Sequence, residues 1–231
     1  MCTAWLAGCS KKVADPVTRS SFLLNTFVTV TLYDTEDQTI LDGCMTLCSD
    51  YEKLLSKTLE GSEIYSMNHR SGGQTEFELS DIYKLNHRRP GERTITVSEK
   101  TAQVLAEGLE YCRMSRGAFD ITIEPLSSLW DFTGKTPHVP PEEEIEADLK
   151  KVGYENVLLD GRQVTFLNDE TTIDLGAIAK GFIADQMKAY LEENGVKSAV
   201  INLGGNVLCV GKRPDGAPFK IGLQRPYATH T

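Results

Sequence analysis

The stretch Thr171-Thr172-Ile173-Asp174-Leu175-Gly176-Ala177-Ile178-Ala179-Lys180-Gly181-Phe182-Ile183-Ala184-Asp185 constrains this chain more than any other. It opens as a β-branched run, passes one carboxylate, turns at a glycine and continues with helical spacing. Ile178, Phe182, Ile183, Met187 and Leu191 share one face, and Asn194-Gly195 supplies a C-terminal stop. A strand that ends in Asp174 and enters a helix through Gly176 sets free backbone N–H groups beside a carboxylate, with Lys180 in the first helical turn. Such a helix start attracts anions, and Asp with Lys suits a phosphate ligand and its metal ion. An α/β turn with a capping Asp would use the same residues. Neither a Walker A loop nor the dinucleotide-binding glycine fingerprint is present, so no standard nucleotide fold follows.

At 231 residues the chain can hold one large domain or two small ones. Its 40% hydrophobic and 25% charged residues are ordinary for a globular protein. A formal net charge of −9 argues against nucleic acid as a partner, since a phosphate-binding face would have to work against that field. No apolar run is long enough to span a bilayer.

Leu6-Ala7-Gly8-Cys9 reads as a lipobox, a small-residue cleavage site before a cysteine that would carry lipid, and Ser10-Lys11-Lys12 fits a tether. Met1 to Ala7 is too short for a whole signal peptide, so either the chain begins inside one, as is expected, or the lipobox match is chance. Residues 1–20 are read as signal remnant and tether, and 21–231 as the folded domain. Cys44 and Cys48 stand one helical turn apart, a spacing that fits neither a redox pair nor a zinc knuckle; Cys112 and Cys209 are isolated. All four are read as small buried hydrophobes.

Along the chain, Phe22 to Tyr33 predicts a strand or strand pair, and Ile40 to Ser56 a helix. A short helix is expected over Ser62 to Asn68, then little regular structure from Gln74 to Glu92. Ser98 caps a helix, with Val97 as its staple and Gly117 as its stop. Glu124 to Trp130 is a helical turn that tolerates Pro125, and Glu142 to Val152 an acidic helix. Asp160-Gly161 marks a hairpin. Strands follow at Ser198 to Leu203, Val207 to Val210 and Phe219 to Leu223. A sheet ending there would have a raw edge, which predicts that the natural chain continues. The class is α+β.

Three ordered segments carry a resemblance: Gly117 to Phe132, Asp174 to Asp185 and Asn202 to Asn206. They match G-A-F-D-x-T-x-x-P-L-x-x-L-W-x-F, D-L-G-x-I-A-K-G-Y/F-x-x-D and N-x-G-G-D/N of the ApbE family of flavin transferases, over about residues 22–226. The resemblance implies an α+β fold related to the T-fold, with mixed sheets, packed helices and FAD held between subdomains. It implies transfer of FMN from FAD to a threonine of a target flavoprotein, with Mg2+ bound and AMP released. FAD hydrolysis to FMN and AMP, or binding of FAD without catalysis, are the alternatives.

By that resemblance, Asp174 and Lys180 contact FAD, and Ala118, Phe119 and Asp120 line its site. Leu24 stands where the family has a methionine against FAD, in Leu24-Asn25-Thr26 for M-G-T. Thr58 lies near the position that influences transfer against hydrolysis. Ala177 would offer magnesium its backbone carbonyl. The family's main metal carboxylate, its accompanying threonine and a His-containing motif fall beyond Thr231, so catalytic residues stay unassigned. The chain alone is expected to transfer flavin poorly or not at all. Many members are exported lipoproteins, which implies a bacterial cell-surface or periplasmic protein anchored at Cys9 by lipid only.

Overall fold

The computed structural model describes residues 15–57, 80–130, 138–223 and 225–226. The helix expected over Ser62 to Asn68 lies outside the described residues, as do Cys9 and Thr58. The chain divides into two compact units, Met1–Cys48 with Ala184–Thr231, and Ser49–Ile183.

The first unit is built on a four-stranded sheet of order β1-β2-β6-β7, from β1 (Val17–Leu23), β2 (Thr26–Leu32), β6 (Ser198–Leu203) and β7 (Asn206–Gly211). Every ladder in it is antiparallel. The register sets Val28, Val30 and Leu32 opposite Leu203, Ile201 and Ala199, and all six are buried. Period-two alternation therefore gives one apolar face. The other face carries hydroxyl pairs, Thr18 with Thr31 at 3.0 Å and Ser20 with Thr29 at 2.9 Å. Val17–Ser20 are strand, although they fall in the segment read as tether.

Two tight turns lie side by side at one end of this sheet. Leu24 and Asn25 join β1 to β2, both with φ of 55°, and Gly204-Gly205 join β6 to β7 with φ of 65° and 96°. Positive φ at both central positions suits a two-residue hairpin turn, because its twist matches that of the strands. The Gly204 N–H donates to Phe27 O at 3.1 Å. Asn202 Oδ1 accepts from the Gly205 N–H at 2.8 Å. Thus the Asn202–Asn206 motif is a hairpin corner held against β2.

Helix α1 (Gln38–Leu55) and helix α6 (Gly176–Glu193) each contain a boundary between the units. Within the first unit, Leu41, Cys44 and Cys48 of α1, and Met187 and Leu191 of α6, are buried. Burial pushes the Cys44 thiol up to about 12, so it behaves as the small hydrophobe expected. Phe219–Leu223 is not a strand. Instead the Phe219 ring packs against Tyr33 at 5.4 Å, so an alternating pattern there reflects a side-chain anchor rather than a ladder.

The second unit holds the sheet β3-β5-β4, from β3 (Thr94–Thr96), β4 (Val157–Asp160) and β5 (Gln163–Phe166), again antiparallel. Helix α2 (Asp81–Asn86), α3 (Glu99–Met114), α4 (Glu124–Leu129) and α5 (Glu142–Leu149) complete it. Ser98 caps α3 by accepting from the Thr101 N–H at 3.2 Å, and Val97 is buried beside it. Helix α2 falls within Gln74 to Glu92, where loop and short structure are expected, and strand β3 is a three-residue element that the sequence did not signal. Helix α2 begins where Ser80 Oγ accepts from the Tyr83 N–H at 2.9 Å.

Thr171 to Asp174, expected as a strand, belongs to no strand or ladder. Its backbone bonds are met by side chains and a loop instead. Asn86 accepts from the Ile173 N–H at 2.7 Å and donates to Ile173 O at 2.8 Å, as a neighbouring strand would. Arg88 stacks 3.5 Å over the Phe166 ring and donates to Thr171 O at 2.8 Å. Helix α2 and its C-terminal flank thereby fix the segment that delivers Asp174.

Candidate functional site

Within the second unit, Asp174 draws four segments together. Its backbone N–H donates to Ile121 O at 2.8 Å, which brings the Ala118–Ile121 loop alongside. Its Oδ2 accepts from Lys57 Nζ at 2.7 Å and from Ser127 Oγ at 2.8 Å. Its Oδ1 accepts from the Gly176 N–H at 2.8 Å, at the start of α6. A Cβ on Gly176 would stand 3.0 Å from that oxygen, so glycine there lets the carboxylate fold back onto the helix. Glu124, at the start of α4, lies 3.7 Å from the same ammonium. It also accepts from Thr172 Oγ1 at 2.7 Å and Ser128 Oγ at 2.6 Å. Two carboxylates share one ammonium.

Burial would raise the Asp174 carboxyl, but the bonds from Lys57, Gly176 and Ser127 outweigh it and hold the group below its ordinary value. As pH falls, the unfolded chain protonates this carboxyl first, near pH 3.9. The resulting stability is whole above about pH 5 and is lost progressively below it. Denaturant midpoints measured from pH 7 down to about pH 3 are expected to fall, and Asp174→Asn to flatten part of that slope.

The helix start differs from expectation in one respect. The Gly176 N–H is not open to a ligand, because the Asp174 carboxylate already takes it. What stays available is the Ala177 N–H, which has no partner among the described residues, and Lys180. The Lys180 side chain is half-buried and makes no ion pair among the described residues. Ala177 and Gly181 are exposed, and a Cβ at Gly181 would meet nothing within 4 Å. A mid-helix glycine with open space costs about 1 kcal/mol against alanine. It leaves the backbone of this turn open to close approach.

The loop residues divide by role. Ala118 is exposed. The Phe119 N–H donates to Ser115 Oγ at 2.9 Å, and its ring meets Tyr111 edge-on at 6.3 Å. Both Asp120 oxygens serve the fold: Oδ1 accepts from Thr122 N–H and Oγ1 at 2.8 and 2.7 Å, and Oδ2 from the Tyr154 N–H at 3.0 Å. Leu24 lies in the other unit, in the turn beside Gly204.

The ApbE family's sequence profile matches residues 24–231. The chain belongs to the ApbE family. A Klebsiella pneumoniae FAD:protein FMN transferase is 30% identical over 211 residues, 90% of this chain and 58% of that relative. A Vibrio cholerae FAD:protein FMN transferase is 31% identical over 132 residues, 56% of this chain and 40% of that relative. The chain thus spans about half the length of these ApbE relatives. Among solved structures, the Thermotoga maritima ApbE protein superposes with a TM-score of 0.75 at 27% identity, over 93% of this chain and 65% of that one. A mutant of the Vibrio cholerae flavin transferase ApbE gives 0.77 at 23% identity, over 92% and 68%. The α+β fold is that of the ApbE family.

Magnesium, which the ApbE resemblance implies, is not accommodated by the described residues alone. No group of three or more His, Cys, Asp or Glu among them could hold a metal ion. Asp174 is engaged on both oxygens, and the Ala177 carbonyl would be a single ligand. Sequence reading missed Lys57 and Ser127. Lys57 follows the end of α1, where a basic residue is ordinarily a solvated charge favoured by the helix dipole. Its partner is 117 positions away, so no local pattern announces the pair.

Proposed function

We propose that this protein acts in flavin transfer, moving FMN from FAD to a threonine hydroxyl of an acceptor flavoprotein. In that reaction the threonine hydroxyl gives its proton to solvent, its oxygen bonds to the phosphorus nearest riboflavin, the bridging P–O bond breaks, and AMP leaves. The observation that carries this reading is the convergence, at the start of α6, of the Ala118–Ile121 loop and the Lys57–Asp174–Ser127 cluster, with Lys180, which makes no ion pair among the described residues, in the same helix of an ApbE chain. Phosphoryl transfer rests on positioning and charge neutralisation more than on covalent chemistry. Lys180 and the positive end of α6 would meet the pyrophosphate, while the small exposed residues Ala177 and Gly181 would let it lie close to the backbone. Magnesium would neutralise further phosphate charge, with ligands additional to those described. Incubating the protein with FAD, magnesium and an acceptor domain tests the reading. Flavin-labelled acceptor supports it, free FMN indicates hydrolysis, and FAD bound but unchanged indicates a carrier.

We further propose that the protein is exported and tethered at a bacterial membrane by lipid on Cys9, on the strength of Leu6-Ala7-Gly8-Cys9 and the polar residues after it. No helix among the described residues is long and apolar enough to cross a membrane. Mass analysis of the protein from its own host decides: unmodified Cys9 overturns the tether.

A further inference from the structure

We infer that Lys57 is a positioning residue of the flavin-nucleotide site: it fixes the Asp174 carboxylate in one orientation and cancels its charge, so that an anionic ligand can approach the start of α6. The inference rests on the flavin reading above and assigns a role to a residue outside the motifs that identify the family.

Three features carry it. First, the carboxylate has no rotational freedom left. Oδ2 takes the Lys57 ammonium and the Ser127 hydroxyl, at 2.7 and 2.8 Å, and Oδ1 takes the Gly176 N–H at 2.8 Å. A carboxylate has about four acceptor sites, so one on Oδ1 stays open for a donor on a ligand. Second, the cluster is a chain of contacts, not a lone surface pair. Lys57 Nζ also donates to Ser127 Oγ at 3.1 Å, and Ser127 lies in α4, while Lys57 follows α1 and Asp174 precedes α6. Third, without Lys57 the start of α6 would face two uncompensated carboxylates, Asp174 and Glu124, which reach the ammonium at 2.7 and 3.7 Å. Like charges there would oppose the attraction that a helix N-terminus offers an anion. The side chains of Lys57 and Asp174 are 28% and 19% exposed, so solvent does not screen the pair away, yet a ligand can still reach it.

The test is FAD titration of the 231-residue chain, followed by flavin fluorescence, with thermal unfolding of the same samples. Lys57→Met is expected to raise the FAD dissociation constant about 10-fold or more, the scale at which a buried charge contact acts. Lys57→Arg, which keeps the charge and the carboxylate contact, is expected to recover affinity to within about threefold of the unaltered chain. Ser127→Ala, which removes only one of the two bonds to Oδ2, is expected to fall between them. Equal affinity in the unaltered chain and Lys57→Met overturns the inference alone. Affinity that falls only in step with the unfolding temperature across all three variants, without rescue by arginine, also overturns it, since that is a purely structural role. Absence of saturable FAD binding by the unaltered chain overturns the flavin reading, and this inference with it.

Discussion

Replacing Asp174 with alanine is expected to weaken FAD binding by about 10–100-fold, the equivalent of one charge-assisted hydrogen bond. The same change strands Lys57, which among the described residues would then face only Ser127 and the more distant Glu124. An unpaired, mostly buried ammonium costs about 1–3 kcal/mol, so the variant is also expected to unfold at lower denaturant. The two effects separate experimentally. Lys57→Met combined with Asp174→Ala removes the stranded charge, and stability is expected to recover in part while FAD binding does not. The coupling is visible only in a double-mutant cycle, because single variants mix loss of a bond with loss of compensation.

The second large effect belongs to the other unit. A Cβ at Gly204 would stand 2.2 Å from Thr26 Oγ1 and 2.7 Å from Thr26 Cβ. Threonine is β-branched and short, so it has no flexible end to swing aside. Gly204 also has φ of 65°, where an L side chain costs about 1 kcal/mol before any clash. Gly204→Ala is therefore expected to destabilise the protein by about 2–4 kcal/mol, measured by urea unfolding. Gly205→Ala meets no atom within 4 Å, so only its φ of 96° opposes it and the cost should be smaller. The group that approaches Gly204 is the Thr26 side chain, next to the Leu24-Asn25 turn.

That turn shows why some features were legible and others were not. The hairpin marked by Asp160-Gly161 follows from local chemistry, and so does the Ser98 cap, whereas the Gly204-Gly205 hairpin emerged only in the structure. The helices α1, α3 and α6 follow from apolar spacing alone. The segment before Asp174 misled for a physical reason. β-Branched residues favour strands, but at Thr171–Asp174 Asn86, Ile121 and Arg88 supply the partners that a neighbouring strand would have. Long-range side-chain bonds of this kind leave no periodicity. The same holds for the site. Asp174 and Lys180 were readable as a carboxylate and a cation at a helix start, whereas Lys57 looked like any basic residue after a helix. Asp120 was readable as part of a motif, and its side chain turns out to brace the loop at Tyr154.

Whether FAD binds at the start of α6 decides the flavin site most directly. Equilibrium titration of FAD, comparing the unaltered chain with Lys180→Met, reads that contact without depending on catalysis. Lys180 makes no ion pair among the described residues, so its loss is expected to leave unfolding unchanged while raising the dissociation constant about 10-fold or more. Binding of the same strength in both proteins would contradict the assignment, and no saturable binding in either would contradict the flavin site as a whole.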